Sequence, residues 1–322
     1  MKSPWQSFQL AYITIELETA FLIGAGESDH LFDSVFVTDA NGLPAIPGES
    51  LGGVLRHGLA GPDGSRRDSR CKELFGFQER DDGEASRIRI SFAHCHGQDD
   101  KPVAFRAQLK DDPVLAALAA GVGRDHVRIG MHGAVDQRGK FDELLVPAGA
   151  RFTFEICLSE ESKVPLSDLI ALLAGPDLHI GGKTRRGLGR FKVVRARSAR
   201  FDLSKKEDVQ KLSRIPVALE KAALSSELKV LNLPKPAVRS DTFHATLKMK
   251  PIGTWMVGGG LPSGREPQRE KEGPWDRVPL SERKVVWLRQ GDQERGCGYF
   301  AATKFSSSHL SGTCILACSA AI

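Results

Sequence analysis

The sequence predicts an α+β protein built on a ferredoxin-like (RRM-like) antiparallel sheet. Its 322 residues are 41% hydrophobic and 26% charged, an ordinary composition for a globular protein of one enlarged domain or two. Several short segments alternate apolar and polar residues with the period of a half-buried strand. These strands and two apolar helical segments follow the order strand, helix, strand, strand, helix, strand, which is the split βαβ pattern of that fold.

The first half of this pattern begins with residues 11–19 (AYITIELET), which alternate as a strand. Residues 34–38 (SVFVT) predict a second strand, ending in an Asp-Ala-Asn-Gly turn. In LPAIPGESLGG (43–53) we expect Ser50 to cap a helix whose N-terminus offers backbone amides to an anion. Residues 87–93 (RIRISFA) alternate again and predict the next strand.

The second half contains a long segment of weak periodicity, residues 97–143, which is typical of a functional loop or protrusion. It includes an apolar helical patch at 114–120, yet adds little to the strand pattern, so we expect the sheet to fold without residues 105–125. Residues 151–158 predict a strand and 166–174 a short helix.

A glycine-rich, basic segment, HIGGKTRRGLGR (179–190), leads directly into a strand at 191–194. Backbone amides of such a loop can approach phosphates while its cations neutralise them. The order of residues fits neither a Walker loop nor a dinucleotide-binding fingerprint. The alternative interpretation is a glycine-rich hairpin with solvated arginines.

The charge distribution is compatible with a nucleic-acid partner. The net charge is +5, and the basic residues crowd into 183–206, where Asp202 is the one acid. No apolar stretch reaches the roughly 18 residues of a membrane span, and the N-terminus lacks a signal core. We therefore expect a cytoplasmic protein with no membrane contact.

Two motifs carry a resemblance to a known family. LPAIPGESLGGVLR (43–56) and IGGKTRRGLGRF (180–191) resemble two signatures of the RAMP superfamily of CRISPR-associated proteins. DSVFVTDANGLPAIPGESLGGVLR (33–56) is most similar to the repeating backbone subunit of type III effector complexes. CKELFG (71–76) and HGAVDQRGKFDELLVPAGARFTFEI (132–156) match in the same order.

The resemblance implies a crRNA-binding subunit with a ferredoxin-like palm, a finger region and a protruding thumb, for which residues 97–143 are the candidate. It implies as partners crRNA, target RNA and other effector subunits, including further RAMP backbone subunits and a large polymerase-cyclase-like subunit. The candidate RNA-binding residues are Gly48, Ser50, Arg56, Gly181, Gly182, Lys183, Thr184, Arg185, Arg186, Gly187, Gly189 and Arg190.

The resemblance also implies a catalytic residue. Family members that cut target RNA carry an aspartate just before the second strand, where this chain has Asp33. Its carboxylate is expected to hold a divalent ion (Mg²⁺ or Mn²⁺) or to orient a ribose 2'-hydroxyl for attack. Asp29 and His30 are candidate helpers. The alternative is a non-catalytic backbone subunit, type IV-like or degenerate type III, in which Asp33 is a turn residue. A guide-processing ribonuclease is a weaker option.

A zinc site is the other metal hypothesis. Its candidate ligands are Cys71, His94, Cys95 and His96. Adjacent ligands in His-Cys-His strain tetrahedral geometry, and no second paired motif completes the set. Zinc is therefore not expected.

The last third of the chain predicts a linker and a partial second module. Residues 201–242 are charged and interrupted by prolines, with a helix expected at 217–231. Residues 244–260 then resemble the first strand and its turn, and 304–312 resemble 45–53, which indicates an internal duplication. The predicted domains are 1–200 with the thumb insertion, the linker, and 243–322.

Overall fold

The computed structural model describes residues 5–26, 28, 31–60, 68–105 and 111–234, together with strands at 242–249, 281–290, 293–302 and 314–321. The helices are α1 (Gly48–Ala60), α2 (Ser69–Phe75), α3 (Pro113–Ala120), α4 (Leu166–Ala174), α5 (Lys206–Arg214) and α6 (Leu219–Ala222). The strands are β1 (Ser7–Leu17), β2 (Ala45–Ile46), β3 (Phe77–Glu79), β4 (Asp82–Glu84), β5 (Ile88–Ile90), β6 (Ala93–Cys95), β7 (Val122–Ile129), β8 (Val135–Leu145), β9 (Arg151–Ser159), β10 (Phe191–Asp202), β11 (Lys229–Val230), β12 (Thr242–Met249), β13 (Ser281–Gln290), β14 (Gln293–Ala302) and β15 (Cys314–Ala321).

The main sheet runs in the order β11-β10-β1-β9-β6-β2, with β5 also paired to β9. Strand β1 lies between β10 and β9 and is antiparallel to both, so that Ala11 faces Ser198 on one side and Ile156 on the other. Taken with the helices between them, the strands give the ferredoxin-like arrangement. The predicted fold class is confirmed.

The two faces of this sheet bury different side chains because neighbouring residues of a strand point to opposite sides. Ile13 and Ile15 share one face with Phe152 and Phe154, all fully buried in the main core together with α1 and α4 residues. The opposite face is apolar only at one end, where Phe8 packs in a second cluster with residues of α5 and α6.

The expected strand at 34–38 does not form. Ser34 pairs with Glu143, Phe36 with Gly24 and Thr38 with Pro44, each as an isolated bridge. Because these bridges have three different partners, no continuous ladder can extend along the segment. The prediction was wrong although the alternation of residues was strand-like.

The segment 97–143 contains a helix and a hairpin with different surroundings. Strands β7 and β8 pair antiparallel, with Met131 94% exposed near the tip. Helix α3 instead buries Val114, Leu115 and Leu118 in the main core. The expectation that residues 105–125 are dispensable was therefore wrong, because the apolar patch of this segment is core.

The helix expected at 217–231 is much shorter. The one helix in that range is α6, and strand β11 lies near the end of the same range. The Ser225 hydroxyl accepts a hydrogen bond from the backbone N–H of Glu227, and such local side-chain bonds compete with helical ones.

The chain divides into two units, residues 1–237 with 285–298, and residues 238–284 with 299–322. In the first unit, the Trp287 indole N–H donates to the Gly149 carbonyl over 2.8 Å. In the second, β12 and β15 pair antiparallel. The resembling segments 250–260 and 304–312 lie outside the described residues. No helix in the described part of the chain is long and apolar enough to cross a membrane.

Candidate nucleic-acid interface

The glycine loop, residues 180–190, is a tight turn held against the segment that follows β1. The Gly182 N–H donates to the Leu22 carbonyl over 2.9 Å, and the Ile180 N–H donates to the Gly189 carbonyl over 2.9 Å. Gly187 and Gly189 both have φ of 79°, which strongly favours glycine. A Cβ on Gly189 would also lie 2.0 Å from the Ile180 carbonyl oxygen. This position therefore requires glycine both for its backbone conformation and for lack of space.

The four cations of the loop have different surroundings. Lys183 forms an ion pair with Glu143 of β8, and Arg190 forms one with Glu18 over 3.1 Å. Arg185 and Arg186 follow Lys183 in a 3-10 turn, Thr184–Arg186, and are exposed. Within the described residues neither of these two arginines has a carboxylate partner.

An aromatic pair on the hairpin lies beside the loop. The rings of His126 on β7 and Phe141 on β8 are stacked with their centroids 4.9 Å apart. The Lys183 ammonium lies 5.1 Å from the Phe141 centroid, and the Arg186 guanidinium lies 5.9 Å from it. These are cation–π distances. The loop and the hairpin therefore share one surface of rings and cations.

Asp33 lies at the same part of the hairpin. Its carboxylate is exposed and accepts a hydrogen bond from the Asp142 N–H over 2.9 Å. The next residue, Ser34, pairs with Glu143. Residues 141–143, here called the hairpin base, thus contact both the glycine loop and the Asp33 segment. Asp29 and His30 lie outside the described residues.

The hairpin base was not singled out as functional by sequence reasoning. Phe141, Glu143 and Leu145 occupy alternate positions of β8 and therefore share one face. Leu145 is fully buried, and Glu143 beside it is only 1% exposed. A glutamate between two apolar residues of one strand face was the available signal, since a buried carboxylate needs a cationic partner.

The N-terminus of α1 differs from the prediction. The helix begins at Gly48, so Ser50 lies in its first turn instead of capping it, and the Ser50 N–H already donates to the Pro47 carbonyl. Glu49 adds a negative charge to this first turn, which disfavours an anion there. Arg56 lies with its guanidinium 6.0 Å from the Phe75 ring of α2, a contact between helices.

The four candidate zinc ligands are not brought together as a metal site. Cys71 donates through its thiol to the Arg56 carbonyl, and His94 lies 3.8 Å from the Asp39 carboxylate. Cys95 is fully buried, and burial raises the pKa of its thiol. Among the described residues, no three His, Cys, Asp or Glu side chains lie close enough together to hold a metal ion.

His96 belongs to a buried polar network on the second face of the sheet. Its Nε2 is 2.7 Å from the Thr153 hydroxyl and its Nδ1 is 2.8 Å from the Asp100 carboxylate. Burial lowers the pKa of His96. Burial alone would raise the pKa of Asp100, but His96, Arg195 and Arg151 lower it to about 2. The network joins β9 and β10 to the segment that follows β6.

Comparison with known proteins gives one family and two solved structures. The RAMP superfamily model matches residues 14–192, more than half of the chain. A chain of the type III-B Cmr-beta complex bound to cognate target RNA is similar with a TM-score of 0.43 and 16% identity, covering 61% of this chain and 62% of that one. A chain of the apo Cmr-beta complex gives a TM-score of 0.40 and 15% identity, covering 57% and 96%. The present chain thus spans less than two thirds of the first of these chains. No curated protein gave a match.

Proposed function

The chain belongs to the RAMP superfamily, and we propose that it is a guide-binding backbone subunit of a type III CRISPR effector complex that cleaves guide-paired target RNA. The type III assignment comes from the similarity of residues 33–56 to backbone subunits. Its partners are then crRNA, target RNA and further subunits of the complex.

One observation carries this proposal. The hairpin base contacts Lys183 of the glycine loop through Glu143 and the Asp33 carboxylate through Asp142. The exposed Arg186, whose guanidinium lies 5.9 Å from the Phe141 ring, and the exposed Asp33 carboxylate therefore lie beside the same three residues. RNA offers a phosphate and a 2'-hydroxyl on every nucleotide, and these two groups match the two kinds of side chain.

Binding by this surface would be independent of sequence. Arg185 and Arg186 are exposed, and arginine contacts to phosphate fix the position of an RNA without reading its bases. Specificity then comes from base pairing between guide and target, as in other guided complexes. The glycine loop supplies affinity, and pairing selects the target.

Cleavage requires a group that removes the 2'-hydroxyl proton. We assign this role to Asp33, whose exposed carboxylate is held by the Asp142 N–H. As the proton moves to Asp33, the 2'-oxygen forms a bond to phosphorus and the bond from phosphorus to the 5'-oxygen breaks. The leaving 5'-oxygen takes a proton from water. General-base catalysis of this kind contributes on the order of a hundredfold or more.

Two neighbouring carboxylates are the proposed ligands of a divalent ion, although that of Asp142 also lies 3.6 Å from the Lys140 ammonium. Asp142 is adjacent to Asp33, and its buried Oδ1 has no hydrogen-bond partner among the described residues. Magnesium is commonly held by one or two carboxylates together with substrate phosphates. In the alternative role of Asp33, Asp33 and Asp142 would hold Mg²⁺ or Mn²⁺. Such an ion would lower the pKa of the 2'-hydroxyl in place of a general base and would neutralise charge that develops on the phosphate.

A second candidate function is a purely structural RNA-binding subunit. The observation in its favour is the hydrogen bond from the Asp142 N–H to the Asp33 carboxylate, because a carboxylate that accepts from a backbone N–H can stabilise a loop without taking part in catalysis. Under this alternative Asp33 orders the segment before Ser34 and has no part in chemistry.

Cleavage by the assembled complex separates the two candidates. Complexes reconstituted with guide RNA and either wild-type chain or Asp33→Ala would be given paired target RNA with Mg²⁺ or Mn²⁺. We expect Asp33→Ala to bind guide and target normally but to cut at least a hundredfold more slowly. Asp81→Ala, which removes an exposed carboxylate between β3 and β4, is the control. A wild-type complex that never cuts would support the structural candidate.

A further inference from the structure

The ion pair between Glu143 and Lys183 places a buried carboxylate at the edge of the proposed interface. Of the cations in the glycine loop, Lys183 is the one whose partner is buried, since Glu143 is 1% exposed. A buried carboxylate is stable only with compensating charge. Lys183 supplies that charge, and the Nε2 of His126 also lies 3.3 Å from the Glu143 carboxylate.

The backbone at Lys183 is also unusual. Its φ of 59° and ψ of 29° place it in the left-handed region, which residues other than glycine rarely adopt. Such conformations persist where surrounding contacts impose them, and they concentrate at functional sites. Here the contacts are the ion pair with Glu143 and the approach of the ammonium to the Phe141 ring.

This conformation starts the turn that carries the two exposed arginines. The Arg186 N–H donates to the Lys183 carbonyl over 2.8 Å, and the Gly187 N–H donates to the Thr184 carbonyl over 2.9 Å. Fixing Lys183 therefore fixes the direction in which Arg185 and Arg186 leave the turn.

We propose that Glu143 is a positioning residue: it anchors Lys183 to the hairpin and thereby presents Arg185 and Arg186 to the guide RNA. Lys183 then acts as an anchor for the loop and makes no phosphate contact. This inference rests on the proposed function. It gives Lys183 a structural role and Arg185 and Arg186 the phosphate contacts, a distinction that the sequence pattern alone does not make.

The salt dependence of RNA binding tests the proposal. The full chain would be titrated with a labelled single-stranded RNA of mixed sequence over a range of salt concentrations. Each phosphate contact contributes about 0.7 to the slope of log affinity against log salt. We expect Arg185→Met to lower the slope by about 0.7, because one phosphate contact is lost. We expect Lys183→Met to weaken binding but to leave the slope unchanged, because the unanchored loop still makes its arginine contacts once bound and loses only its order before binding. A decrease of about 0.7 for Lys183→Met would overturn the proposal.

A double-mutant cycle tests the coupling between the two residues. Glu143→Gln and Lys183→Met should each weaken binding about 5- to 10-fold, and the double variant should bind no more weakly than either one, because the same anchor is lost once. The double variant replaces a buried charge pair by neutral groups of similar size, which preserves folding more readily than leaving one charge unpaired. Losses that multiply would contradict the proposal.

Hydrogen exchange without RNA distinguishes failure of this inference from failure of the proposed function. Glu143→Gln should raise the exchange rates of amides in residues 180–190, while the amides of β1 and β9 keep theirs. Unchanged loop exchange would overturn the positioning role. If loop exchange rises but the wild-type chain shows no salt-dependent RNA binding, the proposed function is wrong and the anchor serves another surface.

Discussion

The Asp33 carboxylate accepts a hydrogen bond from the backbone N–H of Asp142, a residue 109 positions later in the chain. The candidate catalytic group is therefore held by the hairpin and not only by its own loop. A second backbone bond, from the Asp33 N–H to the Asp142 carbonyl over 3.1 Å, fixes the segment on both sides. Any change that moves the hairpin base is expected to move Asp33 with it.

Asp33→Asn and Asp33→Ala separate the charge of this residue from its hydrogen bond. Asparagine can still accept from the Asp142 N–H, whereas alanine cannot. We expect both variants to lose cleavage by about a hundredfold or more. Only Asp33→Ala should also lose stability, by about 0.5–1.5 kcal/mol in urea unfolding. Full cleavage activity in Asp33→Asn would show that the carboxylate charge is not needed.

The contribution of the two exposed arginines of the glycine loop to RNA binding should not depend on the RNA sequence. Arg185→Met together with Arg186→Met is expected to reduce the salt-dependence slope by about 1.4. The decrease should be the same for guides of unrelated sequence, since phosphate contacts carry no base information. Titrations with two such guides check this. A different decrease for each guide would indicate base recognition by the loop.

Gly187 and Gly189 form a matched pair for the loop geometry. Both have φ of 79°, but only Gly189 has a carbonyl oxygen where a Cβ would lie. Gly187→Ala should cost about 1–2 kcal/mol from the left-handed conformation alone. Gly189→Ala should lower the free energy of unfolding by clearly more than Gly187→Ala does. It should also weaken RNA binding, because the backbone of the loop must shift to make room for the Cβ. Thermal unfolding and RNA titration of both variants provide the comparison, and equal effects would argue against the close approach.

Helix α3 and the hairpin tip should differ in their contribution to stability. Leu118 is fully buried, whereas Met131 is 94% exposed. Leu118→Ala is expected to destabilise the protein by about 2–5 kcal/mol. Met131→Ala should change stability by no more than about 0.5 kcal/mol. Urea unfolding measures both, and a small effect of Leu118→Ala would mean that α3 is detached from the core.

The pKa of His96 predicts a loss of stability in mild acid. Burial lowers this pKa in the folded protein, so the unfolded chain binds the proton more readily. Stability is then full above the ordinary histidine pKa of about 6.5 and decreases as the pH falls below it. Unfolding measured between pH 8 and pH 5 should show this decrease in the wild type. His96→Gln should show a weaker pH dependence, and an identical one would assign the effect to other groups.

Sequence patterns predicted the central sheet well because its strands are long and regular. The alternation in residues 11–19 and 151–158 reflects a face that is buried in the structure. The segment 34–38 shows the same alternation and yet forms only isolated bridges. Alternation indicates which side chains are buried, but pairing depends on which strands lie alongside, and that is a tertiary property.

The candidate site was predicted in part. The glycine loop and Asp33 were identified from composition and from the family resemblance. That they share the hairpin base depends on the pairs Lys183–Glu143 and Asp33–Asp142, which join distant parts of the sequence. The start of α1 at Gly48 was missed because Ser50 is a good capping residue, while the backbone at Gly48 approaches the Ile90 carbonyl closely.

The central position of β1 has a consequence for synthesis of the protein. A ribosome releases Ser7–Leu17 well before the partners of this strand, which are Arg151–Ser159 and Phe191–Asp202. At about 5–20 residues per second, the nascent strand waits on the order of ten seconds or more with both edges unpaired. Unpaired apolar strands attract other chains. Chaperone binding to β1 until its partners emerge is therefore expected to raise the yield of folded protein.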